Sequence, residues 1–172
     1  ELKRGCVEPS LVEFNGKFYL TVRSDERGMF AESVDGLDFG ELRAWCWEDG
    51  IPIGNRNTQQ HWMVLKNGLY LAYTREGAAN DHVFRNRAPI FLARFDPERK
   101  CLIRSTEQPL VPEYGARLGN FQTISDGAGA SWLVTAEWMQ PLGCEKYGSD
   151  NAIWFVRATW PATRSDEEMK KN

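Results

Sequence analysis

The chain has 172 residues, of which 42% are hydrophobic, and 21 Lys and Arg against 24 Asp and Glu leave a net charge of −3. That length and apolar fraction are enough for a packed core. Interspersed charge without a basic stripe argues against a nucleic-acid surface, no apolar run is long enough for a membrane-spanning helix, and neither partner is expected.

The first predicted element is a hairpin, VEPSLVEFNGKFYLTVRSD over residues 7–25. Asn15 and Gly16 both tolerate positive φ and specify a two-residue type I′ turn. That turn sets Phe14 opposite Lys17, Val12 opposite Tyr19, Ser10 opposite Thr21 and Glu8 opposite Arg23. Alternation then places Glu8, Ser10, Tyr19, Thr21 and Arg23 on one side of the hairpin. Leu11, Phe18, Leu20 and Val22 take the other, an apolar packing face. At this point Glu8 and Arg23 read equally as a surface ion pair or as a pair at a pocket. Two strand-like runs, GMFAESVDG and GELRAW, follow.

The polar entry NTQQHWM brings Gln60, His61 and Trp62 to a second hairpin, VLKNGLYLAYTRE. Here Asn67-Gly68 takes the place of Asn15-Gly16, so Arg75 falls where Arg23 fell and Gln60 where Glu8 fell. The long polar loop REGAANDHVFRNR then carries Asn80, Asp81 and His82, suited to substrate contacts or acid–base work because binding residues concentrate on such loops. His61 and His82 stand on separate segments, too weak a signal for a metal site, and no metal or cofactor is assigned. The runs APIFLARFDPER and CLIRST complete this unit. A third copy starts at EYGARLGNF, with Tyr114, Arg117 and Asn120, and continues as ISDGAGASWLVTAEW with a longer turn around Asp126 and Gly127. Glu137 takes the Arg23 position. KYGSDN, with Tyr147 and Asp150, reads as a plain turn, NAIWFVRATWP as a last strand, and residues 163–172 as a charged tail. Cys6, Cys46, Cys101 and Cys144 are far apart without CxxC spacing, so free thiols are expected.

Each unit holds about four strands in roughly fifty to sixty residues, the pattern of a propeller blade. The chain therefore reads as all-β, a partial β-propeller over 1–162 with four-stranded antiparallel blades near 7–50, 57–110 and 118–160. Three blades do not close a ring, since propellers use about four to eight. The segment is expected to belong to a longer, six-bladed propeller rather than to a β-sandwich. In such a ring, equivalent positions of successive blades meet around a central cavity, which would gather Glu8, Arg23, Gln60, Arg75 and Glu137.

At this stage the sequence resembles the sialidase family, six-bladed propellers that hydrolyse terminal sialic acids. The matching stretch is EPSLVEFNGKFYLTVR: a Glu opening a blade, an apolar strand, a tight Gly turn, a second strand and a closing Arg. The resemblance implies that Glu8 assists a tyrosine nucleophile and that Arg23 is one of three arginines clamping the substrate carboxylate. Arg87 in RNRAPIFLA matches a later clamp arginine, with Arg85 as a rival and Arg117 as an alternative. SVDGLDFG loosely echoes the family's Asp-box turn at Ser33 and Asp35. The tyrosine motif is not matched, because Asn120 and Phe121 stand at its place and Tyr114 and Tyr147 lie elsewhere. With the loop and rim residues added, the catalytic candidates are Glu8, Glu137, Asp81 and Tyr114. Arg23, Arg75, Arg87, Arg117, Gln60, His61, His82 and Asn120 are the substrate-binding candidates. The implied partner is a carbohydrate, and an exported protein, secreted or periplasmic, is the preferred compartment. The same stretch is also similar to a strand motif of five-bladed furanosidases and arabinanases, where a Glu before Pro is the general acid. A propeller that binds glycans without cutting them is the third reading.

Overall fold

A computed structural model describes residues 5–159, and the charged tail assigned to 163–172 lies outside them. The described residues form three antiparallel sheets in chain order. The first is β1 (Val7–Phe14), β2 (Lys17–Arg23), β3 (Gly28–Ser33) and β4 (Arg43–Ala44), in that spatial order. The second runs β5 (His61–Leu65), β6 (Gly68–Tyr73), β7 (Ile90–Asp96) and β8 (Cys101–Leu102), with β9 (Gln108–Val111) also on β7. The third places β12 (Ala130–Trp138) between β11 (Gln122–Ser125) and β13 (Ile153–Thr159), while β10 (Arg117–Leu118) pairs with the far end of β12. These are three propeller blades. β9 and β10 were not expected from the sequence.

The first hairpin has its predicted turn, with φ of 53° at Asn15 and 74° at Gly16. The predicted partners of Phe14, Val12 and Ser10 are also found. Beyond Ser10 the register shifts, and Arg23 pairs with Val7, not with Glu8. The cause is Pro9, which has no N–H for the ladder and is tolerated in a strand at a bulge. Glu8 takes up the extra residue at φ 53°. The second hairpin departs from expectation at its turn, which is Lys66-Asn67, with Leu65 paired to Gly68. Neighbours decide this. The Lys66 N–H donates to the Gly129 carbonyl of the third blade (3.0 Å), and the Asn67 side chain bonds the Tyr70 hydroxyl (2.9 Å). A slip of one residue moves every side chain to the other face. Thr74, not Arg75, therefore occupies the position of Arg23.

Alternation explains why the middle blade is buried on both sides. Trp62, Leu69, Leu71, Tyr73, Phe91 and Phe95 face the first blade, meeting Tyr19, Phe30, Trp45 and Trp47. Met63, Leu65, Tyr70, Ala72, Ile90 and Leu92 face the third, meeting Leu118, Phe121 and Leu133. Each outer blade packs on the middle one through one of its sides. In the first, the side bearing Val12, Phe14 and Tyr19 packs on the middle blade, while on the side expected to be the packing face Val22 is buried, Phe18 and Leu20 are half-buried and Leu11 is 55% exposed. Ile153 and Phe155 of the third blade are likewise open.

Gly28 illustrates how close the first two blades come. A Cβ there would lie 2.2 Å from the Asn55 amide nitrogen and 2.6 Å from Gln60 Oε1, both on buried side chains. Gly28→Ala is expected to destabilise the fold by about 2–3 kcal/mol through overpacking, read as a lower urea midpoint at unchanged slope.

Candidate active site

The first strands of the three blades, β1, β5 and β11, lie side by side. The Trp62 N–H reaches Ser10 Oγ at 3.4 Å, and Thr123 Oγ donates to the Trp62 carbonyl at 2.9 Å. Their leading ends consequently bring Glu8, His61, Asn120 and Phe121 into one neighbourhood. Arg23 arrives from the end of β2. Its Nε donates to Glu8 Oε2 at 2.6 Å, and its Nη1 donates to Asn57 Oδ1. The bulge at Glu8 thus restores the Glu8–Arg23 contact that the register alone would not give. The Arg23 hydrogen bond holds the Glu8 carboxyl below the usual carboxylate range; burial opposes this, and the charges of Arg23, Arg87 and His61 add to it.

Arg87 approaches from the loop preceding β7 and donates from Nη2 to Asn120 Oδ1 at 2.8 Å. Burial lowers its pKa first, and the neighbouring cations Arg117, Arg85 and Arg23 push the same way, against Glu8. Arg117 is 7% exposed, and its guanidinium lies between the rings of Trp138 (3.4 Å) and Phe84 (4.9 Å). Among the described residues, Arg85, Arg87 and Arg117 meet no carboxylate in an ion pair. The cluster carries more guanidinium than acid, a surplus suited to an anion.

Burial lowers the His61 pKa, and the charge of Glu8 opposes that shift. The Gln59 amide nitrogen spans two blades, donating to the Phe121 carbonyl and contacting His61 Nε2 at 3.1 Å. With the amide as donor, Nε2 accepts and the proton sits on Nδ1. Because the folded state binds the His61 proton less well than the unfolded chain does, stability is complete above about pH 6.5 and falls as pH drops below it. The thermal midpoint is expected to fall between pH 7.5 and 5.5, and His61→Gln to flatten that slope.

The structure engages the remaining candidates elsewhere. Gln60 is buried against the first blade, accepting from Thr21 Oγ1 at 3.3 Å. Arg75 makes a two-pronged pair with Glu107 (2.7 Å at both nitrogens), and the Tyr73 hydroxyl donates to the same carboxylate. Glu137 accepts from the N–H groups of Asp150 (2.9 Å) and Ala152 (3.1 Å) and from Trp154 Nε1 (3.4 Å), so its carboxylate holds a loop. His82 Nε2 bonds Glu113 at 2.8 Å, with its ring against Tyr147. Tyr114 stacks on Trp154, and Asp81 is exposed near the Asn86 amide. Ser33 and Asp35 do form a tight turn after β3, where backbone bonds from Asp38 and Leu37 lower the Asp35 pKa to about 2. Asn57 and Gln59 were missed as members of the cluster. Their partners lie 34 and 62 residues away, beyond any local pattern.

No family model matches the sequence, and no curated protein matches it. Solved structures share the fold. A thermostable family-43 glycoside hydrolase superposes with a TM-score of 0.56 at 14% identity, covering 93% of this chain and 55% of that one. Trypanosoma rangeli sialidase in complex with 2,3-difluoro-KDN superposes with a TM-score of 0.51 at 14% identity, covering 89% of this chain and 22% of that one. The chain thus spans about half the length of the first protein and under a quarter of the second. At such identities the likeness establishes the propeller fold and leaves the chemistry to be argued from the residues.

Proposed function

We propose that this chain supplies part of a glycoside hydrolase site that takes a terminal acidic sugar, as the sialidase resemblance implies. The observation that carries this is the Glu8–Arg23 ion pair at 2.6 Å, set beside Arg87 and Arg117, which meet no carboxylate among the described residues. A general acid needs a raised pKa near the working pH. Glu8 is pushed the other way by Arg23, which fits a group that accepts a proton and disfavours the furanosidase reading, where the same Glu must donate one. Arg87, oriented by Asn120, is the primary ligand for the sugar carboxylate, and Arg23 and Arg117 add charge around it. Glycoside cleavage uses two groups. Tyr114 is stacked away on Trp154, and Phe121 packs edge-on against His61 at 5.0 Å. The partner of Glu8 is therefore proposed to come from blades beyond these three. Turnover assays on the full-length protein test the reading. Release of the fluorophore from a sialoside supports it. Release from an arabinofuranoside, or glycan binding with no release at all, overturns it.

A further inference from the structure

We infer that Cys46 and Cys101 form a redox modification site, where a small disulfide oxidant such as oxidised glutathione links the first two blades covalently. This stands apart from the glycosidase reading. Cys46 follows β4 and Cys101 opens β8, the last strands of their sheets, whereas the Glu8 cluster gathers at the first strands. The backbone brings the two residues together. Trp47 and Leu102 form a parallel bridge across the blades, and the Leu102 N–H donates to the Cys46 carbonyl at 2.9 Å. Bridged strands stand about 4.8 Å apart. The Cα atoms of the preceding residues, Cys46 and Cys101, are therefore placed within the roughly 4.4–6.8 Å that a disulfide spans. Trp47 and Leu102 both enter the first core, so alternation turns Cys46 and Cys101 together to the other side. Further contacts hold this register. Arg99 Nη2 donates to the Glu48 carbonyl (3.1 Å), the Arg104 N–H to Glu48 Oε2 (2.8 Å) and Arg104 Nη2 to Asp49 Oδ2 (3.0 Å).

Both cysteines are free thiols. Cys46 is half-buried and Cys101 is 4% exposed, so an oxidant meets Cys46 first. Burial raises both thiol pKa values. Asp49 adds to this at Cys46; at Cys101, Arg99 opposes it while Asp96, Cys46 and Glu48 add. The reaction is thiol–disulfide exchange. Cys46 gives its proton to water, and its thiolate attacks one sulfur of oxidised glutathione, releasing one glutathione. Cys101 then loses its proton and attacks Cys46 Sγ, and the second glutathione leaves. Two protein thiols are oxidised and one oxidised glutathione is reduced to two thiols. The bond closes a loop of roughly fifty-five residues, which restricts the unfolded chain. Cys6 precedes β1 and Cys144 opens the turn Cys144–Tyr147 of the third blade, so neither shares the bridge.

Incubation of the folded full-length protein with oxidised glutathione at about pH 8.5, where thiolate forms, tests this by peptide mapping and thermal melting. The parent is expected to yield a Cys46–Cys101 linked peptide and a thermal midpoint higher by about 5 °C, both reversed by dithiothreitol. Cys101→Ser is expected to stop at the mixed disulfide and keep glutathione on Cys46, which shows the order of attack. A lasting glutathione adduct on Cys46 in the parent, both thiols unmodified after equilibration, or linkage of either to a different cysteine overturns the site. The parent result decides the matter even where the variant does not fold.

Discussion

Glu8→Gln is expected to lower turnover of a fluorogenic sialoside by about a thousandfold in the full-length protein, within the range that a positioned acid–base group contributes. The amide is nearly isosteric, and its oxygen can still accept from Arg23 Nε. What disappears is the negative charge. The ion pair is partly open to solvent, with 33% of the Glu8 side chain and 12% of that of Arg23 exposed. Its loss should therefore cost stability only about 1 kcal/mol. Thermal melting measured beside the rate makes the result interpretable. A large rate loss at a nearly unchanged midpoint assigns Glu8 to the chemistry. Full activity in the Gln variant would remove Glu8 from it.

Phe95→Ala is expected to have the largest effect on stability, about 3–5 kcal/mol, as for truncation of a fully buried aromatic. Phe95 is 1% exposed. Its ring centre lies 5.4 Å from Tyr19, Phe30 and Trp62 and 5.6 Å from Trp45, each in edge-on contact. Such pairs add about 0.5–1.5 kcal/mol beyond area burial. Four are lost together, along with the wall between the first two blades. Urea unfolding measures the loss, and Phe95→Leu, which keeps more volume, should fall well short of it. A change under 1 kcal/mol in Phe95→Ala would mean that the blades do not pack as described.

Much of the architecture was legible because it is local. Asn15-Gly16 dictates its own turn, and the strand runs alternate as a sheet sandwiched between neighbours requires. The structure departs from the local pattern at Pro9 and wherever a distant part of the chain intervenes. Pro9 carried the signal for the bulge at Glu8, since a strand interrupted by Pro needs one, and reading it would have corrected the register. Nothing near Asn67 reveals that Gly129 would claim the Lys66 N–H and move the turn by one residue. The site shows the same division. The Glu8–Arg23 contact is legible because a single hairpin joins the two residues. Arg87 and Asn120 were named separately, but their contact spans 33 residues. Arg75 was misplaced because its partner, Glu107, is 32 residues downstream. Glu137 looked like a rim carboxylate because the loop it fastens has no local signature.

The hairpin tip at Asn15-Gly16 has a practical use. It sits at the opposite end of β1 from Glu8, about 20 Å away at the rise of an extended strand; Gly16, at φ 74°, must stay glycine, and the exposed Lys17 beside it offers a side chain to carry a label. A fluorophore or a surface tether attached there leaves the mouth of the cluster clear, so ligand exchange can be followed on immobilised protein without the label entering the chemistry.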